Sequence, residues 1–303
     1  MVENGESASS AVVVTGFWPI CSKVGNIEVT AYKYAQRFTT TLRLQCTYLA
    51  FGSKEGLEAV KTARPDAMVE QMELLSGVPL APVRAAFPKS SYLRFEAHRR
   101  KRDAPSYELA LIWHAKPRLI ALAARRVSAK WLVWVDAGLT PFVGRDLAPL
   151  GAFPSPRIMA RLRPGVYFSR VPWFWDRAAS GRGVGTCFVV HRSLATQFSE
   201  AYYLSLSRSP RLQDEEVYGS MVRDGQASFW GEGYGALVPF LAEHPSNVVG
   251  SMEMLLFKKG LHAQILAFCA FLLFGGVVAA CVFVLQKQRP FLLRTSPRKA
   301  QSV

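Results

Sequence analysis

KWLVWVDAGLT, residues Lys130–Thr140, sets five bulky side chains in a row, Trp131 to Val135, and stops at an acid, Asp136, followed by Ala137 and Gly138. A short run rich in β-branched and aromatic residues, closed by a turn signal, predicts a strand buried on both faces. Strands of that kind belong to sheets covered by helices on each side, which makes the chain α/β. In open α/β sheets ligands sit outside the carboxyl ends of the strands, where Asp136 projects, and Gly138 permits a tight turn beside it. A plain turn, with Asp136 accepting from the next backbone amides, satisfies the same residues.

Upstream, Tyr107–Val127 carries apolar residues at helical spacing, interrupted by Pro117. Proline is tolerated in a first helical turn, so the helix is expected to begin near Lys116 and to deliver the chain into the Lys130–Asp136 strand. A lysine there opposes the helix dipole and either answers an anion or simply faces water. Nearer the N-terminus, Ala11–Val14 is a β-branched run closed by Thr15 and Gly16, a first core strand whose glycine lets a ligand, or only a turn, approach the backbone. Ile27–Thr40 suits a helix, Leu42–Phe51 a second strand, and Ser53 an N-cap for a helix over Lys54–Thr62. Pro65–Pro88 holds four prolines, with a short strand and loops.

Downstream of Gly138 the chain turns proline-rich and includes the aromatic cluster Trp173-Phe174-Trp175, which suits either stacking on a sugar or base or cover for the core. The alternate glycines Gly181, Gly183 and Gly185 precede the strand Thr186–His191. A dinucleotide fingerprint joins a strand to a helix, so these glycines instead serve close approach to a ligand or a neighbouring strand. Ser193–Leu206 reads as a helix capped by Ser193. A second helix opens at Arg211–Glu216, where Asp214 and Glu215 either satisfy the dipole or supply a base. Strands over Phe229–Tyr234 and Leu237–Leu241 close the domain.

The 303 residues carry 37 Lys and Arg against 22 acids, a formal charge of +15, which favours anionic partners such as nucleotides, acidic head groups or nucleic acid. AHRRKR, Ala97–Arg102, is a solvated loop or a patch for phosphate or anionic lipid. Five cysteines with neither a CxxC nor a Cys/His cluster argue against a zinc site and a disulfide framework. Ala263–Leu285 is 23 residues long without a formal charge, and as a helix of about 34 Å it is expected to span a membrane. Met1–Ser10 reads as a disordered start, 11–245 as one domain, 246–262 as a juxtamembrane linker and 286–303 as a basic tail. No signal peptide is visible at the N-terminus, which places the domain in the cytosol behind a C-terminal anchor, whereas the basic tail favours the opposite orientation.

Five segments in order, VVVTGF (Val12–Phe17), WHAKPRLI (Trp113–Ile120), WLVWVDAG (Trp131–Gly138), CFVVHR (Cys187–Arg192) and LQDEEVY (Leu212–Tyr218), resemble the HtrL/YibB-like family. That family is similar to nucleotide-sugar glycosyltransferases of the GT-A fold. The resemblance implies a Rossmann-like α/β domain with a mixed central sheet and flanking helices, a nucleotide-diphosphate sugar as donor, a glycan or lipid-linked acceptor and a divalent cation, Mn²⁺ or Mg²⁺. It assigns Asp136 to the metal and donor, Thr15 and Gly16 to the nucleotide and Asp214 to the acceptor side; beside these, Lys116 and Gly138 are candidates for the nucleotide, and Asp214 or Glu215 for the base that deprotonates the acceptor. The family's Asp-x-Asp is broken here by Gly138, so metal binding either takes a ligand from elsewhere, His191 or His244, or is dispensable. Two other readings follow from the same residues: a non-catalytic relative that binds a nucleotide sugar or glycan, and a basic membrane-surface protein. No nucleic-acid module is visible.

Overall fold

The computed structural model describes residues 11–20, 22–24, 27–29, 35–36, 38–39, 41–98, 105–137, 151–170 and 183–232. The chain divides into two units, Met1–Val249 and Gly250–Val303, and the second lies outside the described residues, as do Gly138, His244, most of Ala97–Arg102, the Trp173–Trp175 cluster and Ala263–Leu285. Among the described residues no helix is long and apolar enough to cross a membrane.

Strands β1 (Ala11–Phe17), β4 (Tyr48–Gly52), β5 (Met68–Gln71), β6 (Trp131–Val135), β7 (Val166–Arg170), β8 (Gly183–His191) and β9 (Ser228–Glu232) form one sheet in the order β5-β4-β1-β6-β8-β7-β9. A hairpin of β2 (Ser22–Val24) and β3 (Ile27–Val29) stands apart. β5, β4, β1 and β6 are parallel, β8 runs antiparallel to both β6 and β7, and β9 is parallel to β7. The sheet is therefore mixed and Rossmann-like, with β8 reversed.

Alternation along the strands feeds two cores. Val12, Val14, Leu132 and Trp134 face one cluster with Phe188 and Val190, while Ala11, Val13, Trp131, Val133 and Val135 face the other with Val189. Helices α2 (Ala81–Ala86), α4 (Tyr107–Arg126), α6 (Ala195–Arg208) and α7 (Asp214–Arg223) cover the first, with α3 (Lys89–His98) preceding α4. Helices α1 (Lys54–Ala63) and α5 (Pro156–Met159) contribute to the second. All five residues of β6 are buried, as a strand covered on both faces requires.

Several elements depart from the sequence reading. The second strand begins at Tyr48 because residues 42–46 form a turn whose carbonyls, Leu42, Leu44 and Cys46, accept from the Arg64 guanidinium. The predicted helix over Ile27–Thr40 contains β3 instead, with helical backbone only at described positions from residue 35 onward. Ser53 caps α1 as expected, accepting from Gly56 N at 3.3 Å. Ser193 does not cap α6; it lies in a single 3₁₀ turn and its hydroxyl pairs with His191 Nδ1 at 2.7 Å.

The largest departure is α4, which runs unbroken for 20 residues with Pro117 inside it, so Lys116 sits in the middle of the helix and not at its start. Ser106 caps the true N-terminus by accepting from Leu109 N at 3.2 Å. Proline removes one helical hydrogen bond and crowds the preceding turn. Tyr203 Oη donates to the His114 carbonyl in that turn at 2.8 Å, and Leu119, Ile120 and Ala123 are wholly buried one turn on. Tertiary packing holds the helix through its weak point.

Candidate functional site

The chain leaves β1 for β4 on one side and later returns to β6 on the other, so the order of strands reverses between β1 and β6. A crevice opens at such a switch point outside the carboxyl ends of the two strands. There the structure has a cleft of about 180 Å³, lined by Gly16, Phe17 and Trp18 from the end of β1, Leu109, Ile112, Trp113 and Lys116 from α4, and Trp134, Asp136 and Ala137 from the end of β6. A second cavity of about 270 Å³, bounded by Leu194, Phe198, Met221 and Gln226, has no titratable lining residue.

The floor of the crevice is an ion cluster. Lys116 Nζ lies 3.2 Å from Asp136 Oδ1, 3.3 Å from Asp136 Oδ2 and 3.0 Å from Asp214 Oδ2, and it donates to the Gly185 carbonyl at 2.9 Å. Asp136 and Gly185 accept hydrogen bonds from the ammonium, while Asp214 Oδ2 meets it at ion-pair distance without an aligned hydrogen bond. Burial by itself depresses a lysine pKa, but the two carboxylates outweigh it and hold Lys116 above the ordinary lysine range, so the ammonium stays charged. Burial raises the Asp136 pKa, opposed first by Lys116 and then by the Trp134 indole N–H, which donates to Asp136 Oδ1 at 2.6 Å. The side chain of Asp136 keeps 24% of its surface accessible, against 5% for Asp214 and 3% for Lys116. Asp136 is the member that faces the cleft.

Each partner is placed by a different element. The Asp136 backbone N–H donates to Thr186 O at 2.9 Å, continuing the β6–β8 ladder one step past the strand. β8 bulges here, since Phe168 pairs with Phe188 but Ser169 pairs with Val184, and Gly185 lies within the extra loop. A side chain at Gly185 would put its Cβ 2.4 Å from Asp214 Oδ2, so glycine is required for α7 to bring its first residue against the sheet.

His114, wholly buried two residues before Lys116, fixes the entry to α7. Its Nε2 is 2.9 Å from the Arg211 carbonyl and its Nδ1 is 2.7 Å from Tyr202 Oη. A carbonyl can only accept, so Nε2 carries the proton, and in the neutral ring that burial favours Nδ1 accepts from Tyr202 Oη. Burial lowers its pKa to about 4. The unfolded histidine titrates near the ordinary value, so the unfolded chain binds more protons below about pH 6.5 and stability falls as pH drops through that value toward 4. The loss is on the order of 3 kcal/mol. Thermal melts between pH 7.5 and 4.5 are expected to show this slope in the wild type and a shallower one in His114→Phe; parallel slopes would refute it.

The structure thus gathers Gly16, Lys116, Asp136 and Asp214 at one end of the sheet. Thr15 is near but wholly buried, its hydroxyl donating to Val135 O at 2.7 Å in a strand-to-strand bond with no surface open to a ligand. Gly16 lines the cleft, and a Cβ there would stand 2.8 Å from the Trp18 ring, so side-chain packing alone demands glycine. Asp214, expected as a base, is nearly inaccessible and paired with Lys116. Glu215 follows it in the first turn of α7, half-buried.

His191 is at the wrong end of the sheet for a shared metal. It pairs in register with Trp131, at the start of β6, and its ring stands edge-on to the Trp131 indole at 4.8 Å. Five residues of strand, about 17 Å, separate that point from Asp136. Among the described residues no group of three His, Cys, Asp or Glu gathers. With both carboxylates drawn onto Lys116, this donor set does not suit a resident divalent cation.

No protein-family model matches the chain and no curated protein is similar to it. Among solved structures the chain is similar to core-mannan synthase A from Aspergillus fumigatus in a Mn/GDP form, at 11% identity and a TM-score of 0.40, over 74% of this chain and 73% of that one. It is also similar to a CMP:2-keto-3-deoxy-manno-octonic acid synthetase complexed with CTP, at 11% identity and 0.38, over 84% and 99%. A third is the bifunctional IspDF from Campylobacter jejuni, at 7% identity and 0.29, over 74% and 50%. Likenesses this distant say nothing of the chemistry in the crevice.

Proposed function

We propose that the protein is a GT-A-type glycosyltransferase that binds a nucleoside-diphosphate sugar in the β1–β6 crevice and passes the sugar to a glycan or lipid-linked acceptor. The observation that carries this reading is the crevice itself. An aromatic and aliphatic wall, Phe17, Trp18, Leu109 and Trp113, stands over one accessible carboxylate, Asp136. A flat apolar base packs on such a wall, and a carboxylate already fixed by an indole N–H and an ammonium keeps lone pairs for ribose or sugar hydroxyls. A resemblance to the HtrL/YibB-like family would put the same acid beside the donor. The apolar Ala263–Leu285 segment would tether the chain to a membrane, which full-length protein resisting carbonate extraction would support and clean release would exclude.

The test is a thermal-shift panel of UDP, GDP, CDP and ADP and their sugar conjugates. One of them, at a hundredfold excess over its dissociation constant, is expected to stabilise the fold by about 2.7 kcal/mol. A flat response to every member would end the proposal. A second reading, binding without turnover, is favoured by the nearly closed position of Asp214, the acid expected to deprotonate an acceptor. Binding of a nucleotide sugar with no release of nucleoside diphosphate in the presence of candidate acceptors selects that reading.

A further inference from the structure

We infer that Lys116 is the resident cation of this site, so that nucleotide binds here without a divalent metal. The inference rests on the crevice being the nucleotide site, and its geometric half stands on the ion cluster alone. Asp136 and Asp214 come from separate elements, β6 and α7, and converge on one point that Lys116 Nζ occupies at 3.2 and 3.0 Å. Carboxylate oxygens at about 3 Å from a centre match N–H···O contacts, whereas Mg²⁺ draws its ligands to about 2.1 Å.

Three features build the position for an ammonium. Gly185 lends its carbonyl at 2.9 Å as an acceptor beside Asp136. The lack of a side chain at Gly185 admits Asp214, whose Oδ2 would be 2.4 Å from a Cβ. Trp134 Nε1 occupies Asp136 Oδ1 at 2.6 Å, an oxygen a metal would otherwise take. An ion entering between the carboxylates has to expel an ammonium that is 3% exposed. Two carboxylates and one ammonium leave a formal charge of −1, so hydroxyl donors, and not phosphate oxygens, are the groups that meet Asp136 directly.

The experiment has two arms on the full-length protein. In the first, Mn²⁺ is titrated into wild type and Lys116→Ala and followed by electron paramagnetic resonance. Wild type is expected to take up no stoichiometric Mn²⁺, and Lys116→Ala, with the ammonium gone and two carboxylates left, to bind it at least about tenfold more tightly, recovering melting temperature as it does. Wild type binding one Mn²⁺ per chain that Asp136→Asn abolishes overturns the inference, as does a folded Lys116→Ala that ignores Mn²⁺. Should Lys116→Ala not fold, the wild-type titration decides. In the second arm, nucleoside-diphosphate affinity is measured with EDTA and with Mn²⁺. Equal affinities support the inference, and binding seen only with Mn²⁺ overturns it. If no nucleotide binds in either buffer while wild type still refuses Mn²⁺, the resident-cation inference holds and the transferase proposal falls.

Discussion

Lys116→Met is expected to cost the fold about 3–5 kcal/mol, the largest loss of any single substitution at the crevice. The methionine fills much of the same volume, so the effect is electrostatic: Asp214, 5% exposed, and Asp136 are left facing each other with no counter-charge. For a domain of this size that lowers the melting temperature by roughly 10 °C. The double variant Lys116→Met with Asp214→Asn removes both buried charges and is expected to recover most of the loss, a non-additivity that urea titrations read directly. If the double variant is as unstable as the sum of its parts, the three residues do not act as one cluster.

Asp136→Asn is expected to have the opposite profile, a large loss of function with little loss of fold. Asparagine keeps an acceptor for the Trp134 indole N–H, and Lys116 keeps Asp214 and the Gly185 carbonyl. Stability should change by about 1 kcal/mol or less, the scale of one partly exposed ion pair. Nucleotide-sugar binding or turnover should drop about a hundredfold or more, because the charged acceptor that faces the cleft is gone and its hydrogen bonds are of the stronger, charge-assisted kind. Full activity in this variant would remove Asp136 from the site.

Asp136 and its strand were legible because burial on both faces demands an unbroken apolar run, and an acid ending such a run has no packing reason to be there. The start of α7 at Asp214 and the Ser53 cap were legible from local chemistry in the same way. What local pattern could not supply is direction and distance. The run Thr186–His191 reads the same for either strand polarity, and because β8 is antiparallel to β6 its first residues, not its last, meet Asp136. That reversal removes His191 from the site and brings Gly185 into it. Pro117 suggests a helix start at Lys116, while the partners of Lys116 lie 20 and 98 positions away in sequence, beyond the reach of any spacing rule. A histidine within an apolar helix face, such as His114, gives no sign of which carbonyl it will meet; its one sequence signal is its place one step into the same segment, WHAKPRLI.

The most direct test is calorimetric titration of the nucleoside-diphosphate sugar that the thermal-shift panel selects, into wild type and Asp136→Asn side by side. One molecule bound per wild-type chain, with binding abolished in a variant of unchanged melting temperature, is the predicted result. Equal binding by the two proteins would contradict a ligand seated on Asp136 at the β1–β6 crevice.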